Sequence, residues 1–228
     1  MQFLKDIYSL FYPKICICCK NLLLSNEILV CTICRHDLPI ICYTDFKKNK
    51  ITDIFYGKIH IENANTLLHF QKEGKVKELI HNLKYRGRQE VGAFLGNWFG
   101  SMLADLHVLG DIDIIIPVPL HKKKKRKRGY NQLTTFGESI SKILHKPYTE
   151  DILVRTSFSK TQTFKNRMDR FLNTTSKFYL KDTLALKNKH VLLVDDVITT
   201  GATLTSCCLE LQKVEGIKIS IITMAFAE

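Results

Sequence analysis

The stretch Val191-Leu-Leu-Val-Asp195-Asp196-Val-Ile-Thr199-Thr200-Gly201-Ala202-Thr203 carries the densest chemistry in the chain. An apolar run ends in two adjacent acids, and a turn rich in threonine and glycine then opens a helical pattern. In an open α/β sheet, ligands bind outside the carboxyl ends of the strands. A helix N-terminus offers free N–H groups and the positive end of a dipole, which suit a phosphate. Gly201 lets backbone approach closely, and Thr199, Thr200 and Thr203 add hydroxyl donors. Two acids beside a phosphate cradle are unsuited to a second phosphate. They suit the paired hydroxyls of a ribose, or a metal ion reached through them. The stretch therefore predicts a reader of a sugar 5-phosphate with free 2- and 3-hydroxyls. The simpler alternative, an aspartate capping the next helix, explains one acid but not both together with the Thr–Gly turn.

A second constellation lies near the start. Six of the eight cysteines precede residue 43, and Cys16-x-x-Cys19 and Cys31-x-x-Cys34 form two CxxC pairs separated by 11 residues. A CxxC turn sets two thiolates at the right separation for one tetrahedral metal, usually zinc. Two such turns complete a four-sulfur shell without an open position, which predicts a structural site. So short a segment buries little core of its own, so metal would supply its folding energy. Disulfides or a redox CxxC are the alternatives, and no thioredoxin-like strand and helix flank either pair. Cys18 is an alternative ligand with poor spacing. Cys42 reads as packed or free, and unpaired Cys42, Cys207 and Cys208 fit a reducing cytoplasm.

Elements must hold these groups in place. Thr66–Phe70, Asp113–Val118, Ile152–Val154, Phe178–Leu180, His190–Val194 and Ile217–Ala225 read as strands. Val76–Leu83, Val91–Leu106, Gln132–Leu144 and Ala202–Val214 read as helices. Gly92, Gly96 and Gly100 recur every four residues, which predicts close packing of that helix on a neighbour. Strands alternating with helices predict a mostly parallel α/β sheet flanked by helices. Residues 1–60 read as an amphipathic helix followed by a cysteine module, and residues 61–228 as the sheet domain. The first residues, with Phe3, Leu4, Ile7, Leu10 and Phe11 on one face, suit a short packed helix. Asp6 and the lack of a small-residue cleavage site argue against a signal peptide.

The 228 residues carry 34 Lys+Arg against 22 Asp+Glu, a formal charge of +12, and 45% are hydrophobic. That hydrophobic share excludes an intrinsically disordered chain, and no apolar run is long enough for a transmembrane helix. The charge is local: without the run Lys122, Lys123, Lys124, Lys125, Arg126, Lys127, Arg128 it falls to an ordinary value. Such a run is read as a solvated loop, as a clamp for pyrophosphate, or as a salt-sensitive contact to nucleic acid. Tyr130 and Phe136 are too few for a clear stacking platform.

VLLVDDVITTGAT resembles the phosphoribosyl pyrophosphate (PRPP) motif of type I phosphoribosyltransferases. Lys84-Tyr85-Arg86-Gly87, the Pro117-Val-Pro-Leu120 segment with Arg128-Gly129-Tyr130-Asn131-Gln132, and the two CxxC pairs resemble, in order, segments of the ComF competence family. The resemblance implies a type I phosphoribosyltransferase-like fold with a small N-terminal zinc-ribbon-like module. It implies that Asp195 and Asp196 hold the ribose hydroxyls, and that Thr199, Thr200, Gly201, Ala202 and Thr203 hold the 5′-phosphate. Lys84, Tyr85 and Arg86 fall where related enzymes place the pyrophosphate loop; a solvated helix end is the plainer alternative. Residues 118–131, with Arg128, Gly129 and Asn131, match a flexible loop that closes over the site. Arg155, Thr161-Gln162 and Arg167 resemble a further family segment, with Thr161 in place of a serine.

What the family implies is transfer of phosphoribose from PRPP, with Mg²⁺, to a nitrogen acceptor with release of pyrophosphate. No segment identifies the acceptor, and no residue stands out as general acid or base. The family also links the chain to natural competence, in which DNA enters as a single strand. A non-catalytic PRPP- or single-stranded-DNA-binding component of the uptake machinery, working with other competence proteins, is the alternative.

Overall fold

The computed structural model describes residues 12–106, 109–155 and 177–228. The expected helix at the very start and the Thr161–Arg167 segment lie outside them. In chain order the elements are α1 (Thr32–His36), α2 (Lys50–Phe55), β1 (Asn63–His69), α3 (Lys75–Tyr85), α4 (Glu90–Leu106), β2 (Ile114–Pro117) and α5 (Lys122–Arg128). There follow α6 (Thr134–Leu144), β3 (Leu153–Arg155), β4 (Phe178–Leu180), β5 (His190–Ile198), α7 (Ala202–Leu211) and β6 (Lys218–Phe226). Four strands form one parallel sheet in the order β1-β6-β5-β2, while β3 and β4 form a separate antiparallel pair. The expected α/β sheet with flanking helices is therefore what the chain folds into.

The central strands owe their place to composition. From Val191 to Val194 β5 is wholly buried, and β6 is buried from Ile219 to Phe226. Continuous β-branched and leucine runs of this kind suit strands covered on both faces. Register decides what the end of β5 can do. The last β2–β5 pair is Pro117 with Val194, so β5 continues past the end of its neighbour. Asp195 and Asp196 belong to that overhang, and the strand, expected to stop at Val194, runs on to Ile198.

The glycine spacing in α4 is a packing device. A Cβ at Gly92 would fall 2.2 Å from Thr135 Oγ1, one at Gly96 2.6 Å from the Phe136 carbonyl oxygen, and one at Gly100 2.9 Å from Ile143 Cδ1. Helices α4 and α6 thus touch backbone to backbone, and this contact sets where α6 begins.

The N-terminal segment is stitched to the free edge of β1. Ile41 and Cys42 donate backbone N–H groups to Leu67 and Thr66, and the Asn65 side chain accepts from Tyr43 N–H and donates to Tyr43 O. An otherwise open sheet edge is covered this way. Among the described residues, no helix is long and apolar enough to cross a membrane.

Candidate functional site

Successive side chains on a strand point to opposite faces, and the two acids at the end of β5 divide accordingly. Asp196 is buried; its Oδ1 lies 2.8 Å from Lys84 Nζ, and its Oδ2 accepts from Gln132 Nε2 at 2.8 Å. Lys84 comes from the last turn of α3 and is itself largely covered, with 19% of its side chain exposed. A solvated helix end is therefore the wrong description of this residue. Asp195 turns the other way, and its charge is felt by Cys207 of α7. Burial first, and the neighbouring Asp196 charge second, push the Asp195 carboxyl up to about 8; the Asp196 N–H, Lys84 and Arg155 pull against them.

The Thr–Gly turn sits immediately beyond. A small pocket is lined by Asp195 and the residues from Val197 to Leu204. Gly201 takes the left-handed conformation (φ 70°), and a Cβ there would lie 2.6 Å from Ile54 Cγ2 and 3.1 Å from Phe55 Cε1. Glycine is required at this point both by the turn and by the closeness of α2. The N-cap Gly201 has no side chain to cap α7 and Ala202 N–H lies 3.5 Å from Thr200 Oγ1, so neither acid is spent as a helix cap, and Ala202, Thr203 and Leu204 of the first turn line the pocket.

The basic run does not form a loop here. Lys122–Arg128 is the helix α5, with His121 accepting from Lys123 N–H at 3.1 Å and Gly129 (φ 79°) ending it. Lysine and arginine are good helix formers, cations favour a helix C-terminus, and a left-handed glycine is a common stop. Those local terms make the expected loop helical over these seven residues. None of the seven is buried, and Lys125 pairs with Glu150 at 3.5 Å.

Helix α5 comes back onto α3. A pocket of about 320 Å³ is lined by Lys84, Tyr85, Gly87, Lys124, Lys127, Arg128 and Tyr130. Arg128 lies over the Tyr85 ring with its Cζ 5.2 Å from the centroid, and Tyr130 donates its hydroxyl to the Leu83 carbonyl. Four cations from two separate segments thus face one cavity. Other expected members fall elsewhere. Arg86 lines a different pocket with Cys16, Lys20 and Arg88. Asn131 is buried, and its Oδ1 accepts from Leu133 N–H at 3.2 Å, so it shapes the entry to α6. Lys122, Lys123 and Arg126 are exposed outside the cavity. Gln132 closes the Arg128–Gln132 motif without carrying a site signal of its own; a neutral amide has no charge signature, and only tertiary contact reveals its two partners.

The four cysteines do converge. The Sγ atoms of Cys16, Cys19, Cys31 and Cys34 all lie within 4.8 Å of one another, a group that could hold a metal ion. Cys31 N–H donates to Cys16 Sγ at 3.3 Å and Cys34 N–H to Cys31 Sγ at 3.4 Å. Burial would raise the Cys16 thiol, but backbone N–H groups of Cys19, Cys31 and Cys18 outweigh it and bring it down to about 6. Cys18 stands apart: burial, then the Cys16 charge, push it up to about 12.

Residues 133–227 match the phosphoribosyl transferase domain family; that stretch includes both acids and the Thr–Gly turn but neither Lys84 nor the basic helix. The DNA utilization protein YhgH of Escherichia coli O157:H7 is 34% identical over 130 residues, 55% of this chain and 56% of its own. Competence protein F of Haemophilus influenzae is 37% identical over 50% of this chain and 51% of its own. Competence protein ComFC of Bacillus subtilis is 26% identical over 214 residues, 90% of this chain and 81% of its own. The chain spans about half the length of the first two relatives. Among solved structures, a glutamine PRPP amidotransferase from B. subtilis complexed with ADP and GMP aligns with a TM-score of 0.43 and 18% identity, covering 62% of this chain and 30% of its own. The parallel sheet with its flanking helices and the matched domain define a phosphoribosyltransferase-like fold. The chain is similar, over the stretches given, to competence proteins and to DNA utilization proteins.

Proposed function

We propose that this chain binds PRPP at the end of β5 and transfers its ribose 5-phosphate to a nitrogen acceptor, releasing pyrophosphate. The single observation that carries the reading is the meeting of Lys84 with Asp196 at 2.8 Å, beside a helix start that neither acid caps and a Thr–Gly turn. In this reading the turn from Thr199 to Thr203 and the first N–H groups of α7 seat the 5′-phosphate. Asp195 and Asp196 orient the ribose hydroxyls by accepting hydrogen bonds. Lys84, with the other cations of its cavity, faces the departing pyrophosphate and stabilises the charge that develops on it. Mg²⁺ would arrive with the substrate, held mainly by substrate oxygens and water, and would neutralise pyrophosphate charge. Helix α5 covers the cavity and excludes water from the reacting ribose carbon, which would otherwise be hydrolysed. In this reading the cysteine-bearing module precedes a phosphoribosyltransferase-like domain that begins near residue 61.

Zinc fits the cysteine cluster. Four Zn–S bonds of about 2.3 Å in a tetrahedron give sulfur–sulfur edges of about 3.8 Å, and Cys19 Sγ and Cys31 Sγ are 3.7 Å apart. The ion would cross-link two turns and leave no ligand position open, a structural role.

The exposed face of α5 favours a second reading, in which the chain is a non-catalytic component that contacts single-stranded DNA alongside other competence proteins. Two measurements separate these ideas. Calorimetry with Mg²⁺ and PRPP should show binding to the wild type and none to Asp195→Asn/Asp196→Asn; equal affinity would remove the acids from the site. Pyrophosphate release from PRPP across a panel of nucleobases should be seen with one of them, and its absence with every base, in a protein that binds PRPP, would favour the non-catalytic reading.

A further inference from the structure

Gln132 joins two parts of the candidate site that the sequence keeps far apart. Its Nε2 donates to Asp196 Oδ2 at 2.8 Å, and its Oε1 accepts from Arg128 Nη1 at 2.7 Å. Arg128 lies over Tyr85, which follows Lys84, and Lys84 holds the other oxygen of Asp196. The contacts close into a ring: Asp196, Gln132, Arg128, Tyr85, Lys84 and back. Its members stand at the end of β5, at the C-termini of α3 and α5, and just before α6.

The amide has only one orientation that works. A carboxylate only accepts and a guanidinium only donates, so the amide must donate to Asp196 and accept from Arg128. Reversed, both contacts would be repulsive. Gln132 is 5% exposed and Asp196 8%, so losing a partner leaves a polar group stranded without water to replace it. An amide held in this way can fix both the direction of the carboxylate and the position of the helix end that carries Arg128.

We infer that Gln132 is the positioning residue that ties the basic helix to Asp196, so that whatever occupies the Lys84–Asp196 corner also sets where α5 lies. The inference rests on the PRPP reading only in naming the occupant. A ligand that draws Lys84 off Asp196 leaves Gln132 as the remaining side-chain hold on that carboxylate. The pull is then passed to Arg128 and the last turn of α5. Coupling of this kind is reciprocal: an anion on the helix changes affinity at the acid by the same factor as the acid's ligand changes affinity on the helix.

Two variants separate the halves of the tie. Gln132→Leu keeps the volume and loses both bonds. Gln132→Glu keeps the acceptor for Arg128, loses the donor to Asp196 and adds a second negative charge. The test is hydrogen–deuterium exchange over residues 122–128 in the full chain, with and without Mg²⁺ and PRPP, together with calorimetry. In the free protein, exchange over 122–128 should rise severalfold in Gln132→Leu and stay at the wild-type level in Gln132→Glu. PRPP affinity should fall by about tenfold or more in both, and the ligand-dependent change in exchange over 122–128 should vanish in both. A merely structural glutamine would give the same disturbance of α5 with either replacement. Wild-type exchange in Gln132→Leu, or equal loosening in both variants, would overturn the inference. If the wild type binds no PRPP, the functional reading fails, while the free-protein exchange still decides whether the tie exists.

Discussion

Asp195 and Asp196 are chemically identical neighbours with different fates, because strand alternation sends them to opposite faces of one sheet. Asp196 acquires a lysine and an amide. Asp195 acquires burial and a like charge, and its carboxyl is pushed up to about 8. The sign of the consequence follows from linkage. A carboxyl whose native value lies above its unfolded value makes the native state bind the extra proton, so it costs stability as pH rises through the interval between the two values. Asp195→Asn should therefore raise the melting temperature of the free protein more at pH 8 than at pH 5. Equal shifts at both pH values in thermal melts would contradict the assigned environment. Such strain at a polar strand end is common where a ligand is to supply the missing partners. The acid pair itself was legible in the sequence, as was the lysine's candidacy. Their pairing was not, since Lys84 and Asp196 are separated by most of the domain and nothing local links them.

At the scale of elements, two features rest on glycines and charges rather than on apolar periodicity. The α4–α6 contact depends on the absence of side chains at Gly92, Gly96 and Gly100. Gly96→Leu has nowhere to go against the Phe136 backbone at 2.6 Å, and overpacking of this kind costs about 2–3 kcal/mol. The midpoint of denaturant unfolding should fall with the slope unchanged, and a wild-type midpoint would mean that the two helices do not meet as described. The spacing of these glycines predicted the close approach; the identity of the neighbouring helix came only with the fold. Helix α5 is the opposite case. The sequence suggested a loop, because seven like charges signal solvation, while local propensity, an N-capping histidine and a left-handed glycine make a helix of it. Replacing Lys122–Lys125 with serine should weaken binding of a single-stranded oligonucleotide more at low salt than at high salt, because released counterions drive such binding. Equal effects at both salt concentrations, read by fluorescence anisotropy, would remove the nucleic-acid reading.

At the scale of the whole molecule, the cysteine cluster and the sheet are joined through the segment that lies along β1 and through α2, whose Ile54 and Phe55 pack against Gly201. The cysteine segment itself docks on α3 and α4, through Lys75 Nζ to Asp37 at 2.7 Å and Arg35 over the Trp98 ring, and α3 carries Lys84 in its last turn. Freshly purified reduced protein should contain one zinc per chain by elemental analysis. Cys31→Ser, or a strong chelator, should lower the melting temperature, and metal-free protein with an unchanged melt would reject the structural site. The same connection predicts that metal loss weakens PRPP binding without touching any residue of the pocket.

Some of this was fixed by local chemistry and some was not. Sequence alone determined the alternation of buried strands and helices, the two CxxC turns, the acid pair and the Thr–Gly turn, since each depends on residues close together in the chain. Only the tertiary structure decided that β5 outruns β2, that the acids face opposite ways, that Lys84 reaches Asp196, and that Gln132 bridges Asp196 to Arg128. Those facts arise from strand register and from helix ends brought together across the sheet. They are set by packing over long separations in the chain, which no local pattern of residues records.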